Sequence, residues 1–196
     1  MEDSSINVKV VESLEGRILV ATPSLNASYF EKTVIYIYAH DEEGALGTII
    51  NKQVATETFR DMKKKLGINK NILINKKVPI YMGGPLHEDN KYILSADREQ
   101  KKNFTKEQAL TLFTNSDEYL SDVIKGRLKT DYIVLKGFCG WGAGQLEAEI
   151  EENSWIVINA EYNYIFSNRK KNLWSTLIKK TGIKNFQNLV GYSGNA

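Results

Sequence analysis

Gly137–Trp155 reads GFCGWGAGQLEAEIEENSW, and the run DYIVLKG that feeds it begins at Asp131. Glycines at 137, 140, 142 and 144 are interspersed with Phe138, Cys139, Trp141 and Ala143, and a helical pattern opens at Gln145. Glycine clusters belong where the backbone takes positive φ or where another group must approach it closely. A strand, a glycine loop and a helix start together predict a crossover whose first helical amides are unpaired and able to meet an anion. Two details argue against phosphate. The loop lacks the lysine and Ser/Thr of a P-loop and the spacing of a dinucleotide fingerprint. The helix also carries Glu147, Glu149, Glu151 and Glu152, which suit a helix dipole but oppose a bound phosphate. The loop is therefore read first as a tight crossover with Trp141 packed over it. Its second reading is one wall of a site for a small polar or cationic ligand, contacted by Gln145 and a glutamate.

The flanking segments are strand-rich. Thr33–His40 (TVIYIYAH) is dense in β-branched and aromatic residues; Asp41–Gly44 is a turn, and ALGTIINK returns from Ala45. This predicts an antiparallel hairpin, and apolar side chains at both parities predict cover on both its faces. Arg17–Ala21 (RILVA) is a buried strand ended by Thr22-Pro23. Val78–Met82 (VPIYM) is another, with Pro79 marking an edge or a strand start before Gly83-Gly84-Pro85 breaks it. Further strands are expected at Val8–Val11, Tyr92–Leu94, Trp155–Ile158 and Ile165-Phe166. Helices are expected over Thr56–Leu66, Lys106–Phe113, Asp117–Ile124, Gln145–Asn153 and Asn172–Thr181, with Gly182 as the last stop. Asn153 is read as a C-cap. Residues 1–14 form a loose lead-in, and the whole of 1–196 is read as one domain.

Composition narrows the function classes. The chain has 42% hydrophobic residues, enough for a sizeable core, and a net charge of +2 without a basic stripe. One cysteine excludes an internal disulfide framework and a cysteine-based zinc site. The polar, acidic N-terminus lacks the pattern of a secretory signal, and the apolar runs are too short for a membrane-spanning helix, so a cytoplasmic location is expected.

Individual residues give weak chemical signals. His40 sits at the hairpin turn, where it is expected to hydrogen-bond locally, and His87 follows Gly-Gly-Pro-Leu. Their spacing demands no metal, and no metal or cofactor is expected. Cys139 is read as a small buried residue, and Ser24 lacks the elbow of a hydrolase. Lys63-Lys64-Lys65 and Arg169-Lys170-Lys171 with Lys179-Lys180 are basic clusters of the kind that usually form solvated faces.

Taken in order, several motifs resemble the YqgE/AlgH family of bacterial proteins. They are GRILVATPSL from Gly16, Tyr29-Phe30, Thr33-Val34, His40, EGALG from Glu43, Ile50-Asn51-Lys52, Gly83-Gly84-Pro85 and GWGAGQLEAEI from Gly140. Asn153, Trp155, Ile165-Phe166, Trp174, Gly182 and Gly194-x-Ala196 follow. The family usually has Asp-Pro where this chain has Ala27-Ser28, and a proline where it has Gln53. The resemblance implies an α/β protein of α+β type, with a largely antiparallel, partly barrel-like sheet flanked by helices. It also implies, through one member's label, a transcriptional regulator. The reading that follows is a regulatory binding protein for a small molecule or a protein partner. Its expected site joins the glycine turns: Gly83, Gly84, Gly140 and Gly142, with Trp141 as a stacking surface and Asn51, Gln145 and Glu149 as polar contacts. The alternatives are a DNA-associated regulator and a hydrolase using a carboxylate with His40.

Overall fold

The computed structural model describes residues 13–58, 77–99, 112–125, 127, 129–167 and 170–182. The strands expected at Val8–Val11, most of the helices expected at Thr56–Leu66 and Lys106–Phe113, and the terminal Gly-x-Ala lie outside these residues.

Among the described residues, nine strands form one open sheet: β1 (Arg17–Ala21), β2 (Val34–Asp41), β3 (Gly44–Ile49), β4 (Gln53–Thr58), β5 (Lys77–Met82), β6 (Leu86–Asp97), β7 (Leu112–Thr114), β8 (Thr130–Gly142) and β9 (Trp155–Asn159). The main path runs β4-β5-β8-β3-β2-β1-β9, and β6 pairs with β8 and β7 off that path. All neighbours are antiparallel except β5 and β8. The helices among the described residues are α1 (Asp117–Ile124), α2 (Gln145–Glu151), α3 (Tyr162–Phe166) and α4 (Leu173–Lys180), and a 3-10 turn spans Pro23–Leu25.

The predicted hairpin is β2 and β3, with Asp41 opposite Gly44. Its two parities separate into two cores. Val34 and Tyr36 join Ile18, Val20 and Leu135 against Ile165, Leu173 and Leu177 of α3 and α4. Ile35 and Ile37 join Leu19, Ala21 and Cys139 against Leu146 of α2 and Trp155. Covering both faces of one strand this way explains why the apolar runs do not alternate.

Four local expectations change. The glycine "loop" is largely strand: β8 continues through Gly142, pairing Gly142 with Gly44 and Cys139 with Gly47. Glycines fit there because neighbouring backbone comes too close for a side chain. A Cβ on Gly83 would lie 2.1 Å from the Gly137 carbonyl oxygen, and one on Gly44 would lie 2.1 Å from that of Trp141. Second, Ile165-Phe166 closes α3 rather than forming a strand; Ile165 is fully buried beneath the sheet, so tertiary packing overrides its β-propensity. Third, Thr56–Thr58 belongs to β4 and Leu112-Phe113 to β7, where helix ends were expected; both segments gain ladder partners in β5 and β6. Fourth, β5 is an interior strand between β4 and β8. Pro79 is tolerated because pairing with β8 begins one residue later, at Ile80 opposite Val134.

Candidate functional site

The glycine-rich half of β8 leads into α2 through Gly144, whose φ of 72° places it in the left-handed region. At the other end of α2, the Ser154 N–H donates to the Glu149 carbonyl at 2.9 Å and the Asn153 N–H to the Ile150 carbonyl at 3.0 Å. With Asn153 at φ 60°, this is a Schellman cap, as the sequence reading of Asn153 expected.

Inside this frame Glu149 gathers three donors. The indole N–H groups of Trp141 and Trp155 both reach its Oε2, at 3.0 and 2.7 Å, and the Gln145 amide donates to Oε1 at 2.9 Å. Gln145 in turn accepts the Gly142 N–H at 3.1 Å. Trp141 is buried, edge-on to Trp155 with ring centroids 6.3 Å apart. Asn51 bridges backbone, accepting the Val34 N–H at 2.8 Å and donating to the Lys32 carbonyl at 2.9 Å. Gly83 and Gly84 press against Gly137 and Phe138 of β8, and the Leu86 side chain lies over Gly140. Gly83, Gly84, Gly140, Trp141, Gly142, Gln145 and Glu149 thus lie along β8 and its neighbours, whereas Asn51 bonds to the backbone of Lys32 and Val34. The side chains of Trp141, Gln145, Glu149 and Asn51 are all engaged within the fold.

His40 is buried and does not bond within its turn. Its Nδ1 accepts the Leu14 N–H at 2.8 Å, and its Nε2 lies 2.7 Å from Glu147 Oε1. That pattern defines the neutral tautomer with the proton on Nε2. The His40 carbonyl also accepts from the Ser13 hydroxyl at 3.1 Å, so the dyad ties residues 13 and 14 to β2 and α2. His87 has different company, stacking on Phe138 with ring centroids 5.5 Å apart. Cys139 is buried with its thiol pushed up to about 12, which removes thiolate chemistry near neutral pH. Among the described residues, no three His, Cys, Asp or Glu side chains form a group able to hold a metal. Lys180 is held by Glu161 at 2.7 Å and by the Tyr164 hydroxyl at 2.5 Å, so this part of the second basic cluster is internally paired.

Two clefts border β5, and Asn51 of the expected site lines one of them. A cleft of about 440 Å³ opens between Lys77–Pro79 of β5, Asp131–Val134 of β8 and the end of α3. A second, of about 610 Å³, runs along Asn51–Thr56 and is bounded by Lys170 and Lys171. Tyr81 and Lys170 line both. Lys170 is only 3% exposed; its Nζ donates to the Ile165 carbonyl and sits 5.0 Å from the centroid of the Tyr81 ring. Burial pulls its ammonium down to about 7, and no carboxylate among the described residues pairs with it. The first cleft contains one carboxylate, Asp131, which accepts from Arg98 at 2.8 Å and from the Tyr162 hydroxyl at 3.1 Å. Among the described residues the lining of the second contains Lys52, Lys170 and Lys171 and no carboxylate. Sequence reasoning passed over Lys170 because a lysine in an Arg-Lys-Lys run reads as solvated; nothing local in the chain signals its burial.

The molecule is thus an α+β protein with one open, mostly antiparallel sheet, carrying a double cleft alongside β5. The chain belongs to the AlgH-like family, DUF179, whose model matches residues 18–185. A UPF0301 protein of Photorhabdus laumondii is 33% identical over 187 residues, which cover 94% of this chain and 100% of that relative. A UPF0301 protein of Vibrio cholerae is 35% identical over 175 residues, covering 87% and 93%. The solution structure of AlgH from Pseudomonas aeruginosa matches with a TM-score of 0.69 at 23% identity, covering 100% of both chains. The crystal structure of a Corynebacterium diphtheriae protein matches with a TM-score of 0.62 at 20% identity, covering 87% of this chain and 88% of its own. These two structures bear on the fold, and none of the names states a reaction or a ligand. Among the described residues no helix is long and apolar enough to cross a membrane.

Proposed function

We propose that the protein is a regulatory binding protein whose ligand is a small anion seated in the double cleft, chiefly along β4 and Lys170-Lys171. The observation that carries this reading is the buried Lys170 amine, shared by two adjoining clefts and lacking a carboxylate partner among the described residues. An ammonium taken out of water without a counter-ion is costly, and an incoming anion supplies the missing charge. Lys52 and Lys171 add positive charge at the rim, and Tyr81 provides an aromatic wall. The cleft size suits a metabolite-sized ligand. Asn51 stays in this site as a lining residue. Gly140, Trp141, Gly142, Gln145 and Glu149, with Gly83 and Gly84, act as the frame that fixes β8 and β5.

A thermal-shift screen of anionic metabolites, each beside its neutral analogue, tests the proposal. A ligand that binds only the native state raises the melting temperature by an amount that grows with the logarithm of ligand excess. The expected hits are anions, and Lys170→Met removes the shift while leaving a cooperative melt. Shifts that are the same for Lys170→Met and the parent would sink the proposed site.

A further inference from the structure

We propose that Lys170 is a covalent capture residue, forming an imine with a small anionic aldehyde or ketone held in the double cleft. This rests on the anion-binding reading and adds a reaction to it. The geometry supplies three requirements. The amine is buried, so water competes weakly for it. Lys170 lines both clefts, so a ligand in either lies beside this residue. Among the described residues its one hydrogen-bond acceptor is the Ile165 carbonyl, which engages an N–H and leaves the nitrogen lone pair of the neutral amine unoccupied.

Burial without a partner carboxylate also favours that neutral form near pH 7, as in other lysines that react with carbonyls. The lone pair adds to the carbonyl carbon, forming the C–N bond as the carbonyl π bond breaks. A proton moves from nitrogen to oxygen and gives a carbinolamine. Loss of its hydroxyl, together with the remaining nitrogen-bound hydrogen, releases one water and leaves the C=N bond. No oxidant or reductant is consumed, and addition of water reverses the capture. Lys52 and Lys171 line the same cleft and favour a carbonyl compound carrying a phosphate or carboxylate.

The test uses the full chain with pyridoxal 5′-phosphate, with pyridoxal as the aldehyde lacking phosphate and with pyridoxine 5′-phosphate as the phosphate lacking an aldehyde. After brief exposure at neutral pH, borohydride fixes any imine, and peptide mass mapping locates it. The expected result is a dominant adduct on Lys170, formed about ten-fold faster with the phosphate-bearing aldehyde, as one added charge-assisted contact provides. The proposal is overturned if the parent protein carries adducts spread over exposed lysines while Lys170 stays unmodified. That readout needs no variant, so it stands even if Lys170→Met fails to fold. The two readings separate through pyridoxine 5′-phosphate. A thermal shift with that compound, but no adduct on Lys170, overturns imine formation and leaves anion binding in place. An adduct on Lys170 formed equally fast with pyridoxal, and no thermal shift, supports the imine and removes the anion preference. Neither shift nor adduct sinks both.

Discussion

A lysine held almost entirely out of water leaves a mark on stability as well as on binding. With its native ammonium pulled down to about 7, Lys170 has lost its proton over a range where the unfolded chain still holds one. The unfolded state then binds more protons, so stability rises with pH from about 7 toward the ordinary lysine range, by at most about 1.4 kcal/mol per pH unit. Below about pH 7 the full burial penalty of the charged form is present. Cys139 acts in the opposite sense: its native thiol is pushed up to about 12, so stability falls once unfolded thiols ionise, above roughly pH 8.5. The clean window is therefore about pH 7 to 8.5. Urea unfolding across that window should show a positive slope in the parent and a flatter one in Lys170→Met. Equal slopes would mean that the amine is hydrated in solution. Sequence could not have supplied this residue. It did single out Glu149 and Gln145, whose place in the structure is a carboxylate clamp on two indoles.

At the scale of elements, β8 is the piece on which the sheet depends. Its first half lies between β5 and β6, and its second half pairs with β3. Where the ends of β5 and β6 meet the middle of β8, Gly83 and Gly84 bring backbone onto the backbone of Gly137 and Phe138, and this close approach is the physical content of the glycine-rich stretch. The cost of filling that space should depend on position. Gly83→Ala drives a Cβ to 2.1 Å from the Gly137 carbonyl oxygen, against backbone that cannot swing aside. Gly144→Ala meets nothing within 4 Å and bears only the left-handed φ of 72°. Chemical denaturation should therefore show about 1–2 kcal/mol lost for Gly144→Ala. Gly83→Ala should lose more than about 3 kcal/mol, or fail to fold, as an overpacked and strained site does. Similar losses at both sites would show that β5 and β8 are less closely joined than the backbone distances state. The glycine pattern was legible as a demand for close approach. That a strand made the approach was not, because glycine is a poor strand former and punctuates loops far more often.

For the whole molecule, the first and the last described strands meet in the sheet: β1 pairs along its full length with β9, from Arg17 opposite Asn159 to Ala21 opposite Trp155. The hairpin of β2 and β3 was legible from β-branched and aromatic density on either side of a glycine turn, and the start of α2 and the helix α4 were legible from a helical period. This closure was not, because sequence periodicity carries no record of which distant strand completes an edge. The same holds for α3, whose Ile165 and Phe166 look like strand residues until the core they fill is known. The closure has a measurable consequence. Removing residues 155–196 deletes β9, α3 and α4, and with them Trp155 from one core and Ile165, Leu173 and Leu177 from the other. It also bares the edge of β1, a strand whose residues from Ile18 to Ala21 are all buried in the intact fold. An uncovered apolar edge is a template for pairing between chains. The truncated protein should therefore elute as large oligomers or precipitate, whereas the intact chain gives a single compact species. Size-exclusion chromatography with light scattering decides between them. A monomeric truncation with a cooperative melt would show that β1 and its partners hold together without β9, and that the core beneath α4 is dispensable.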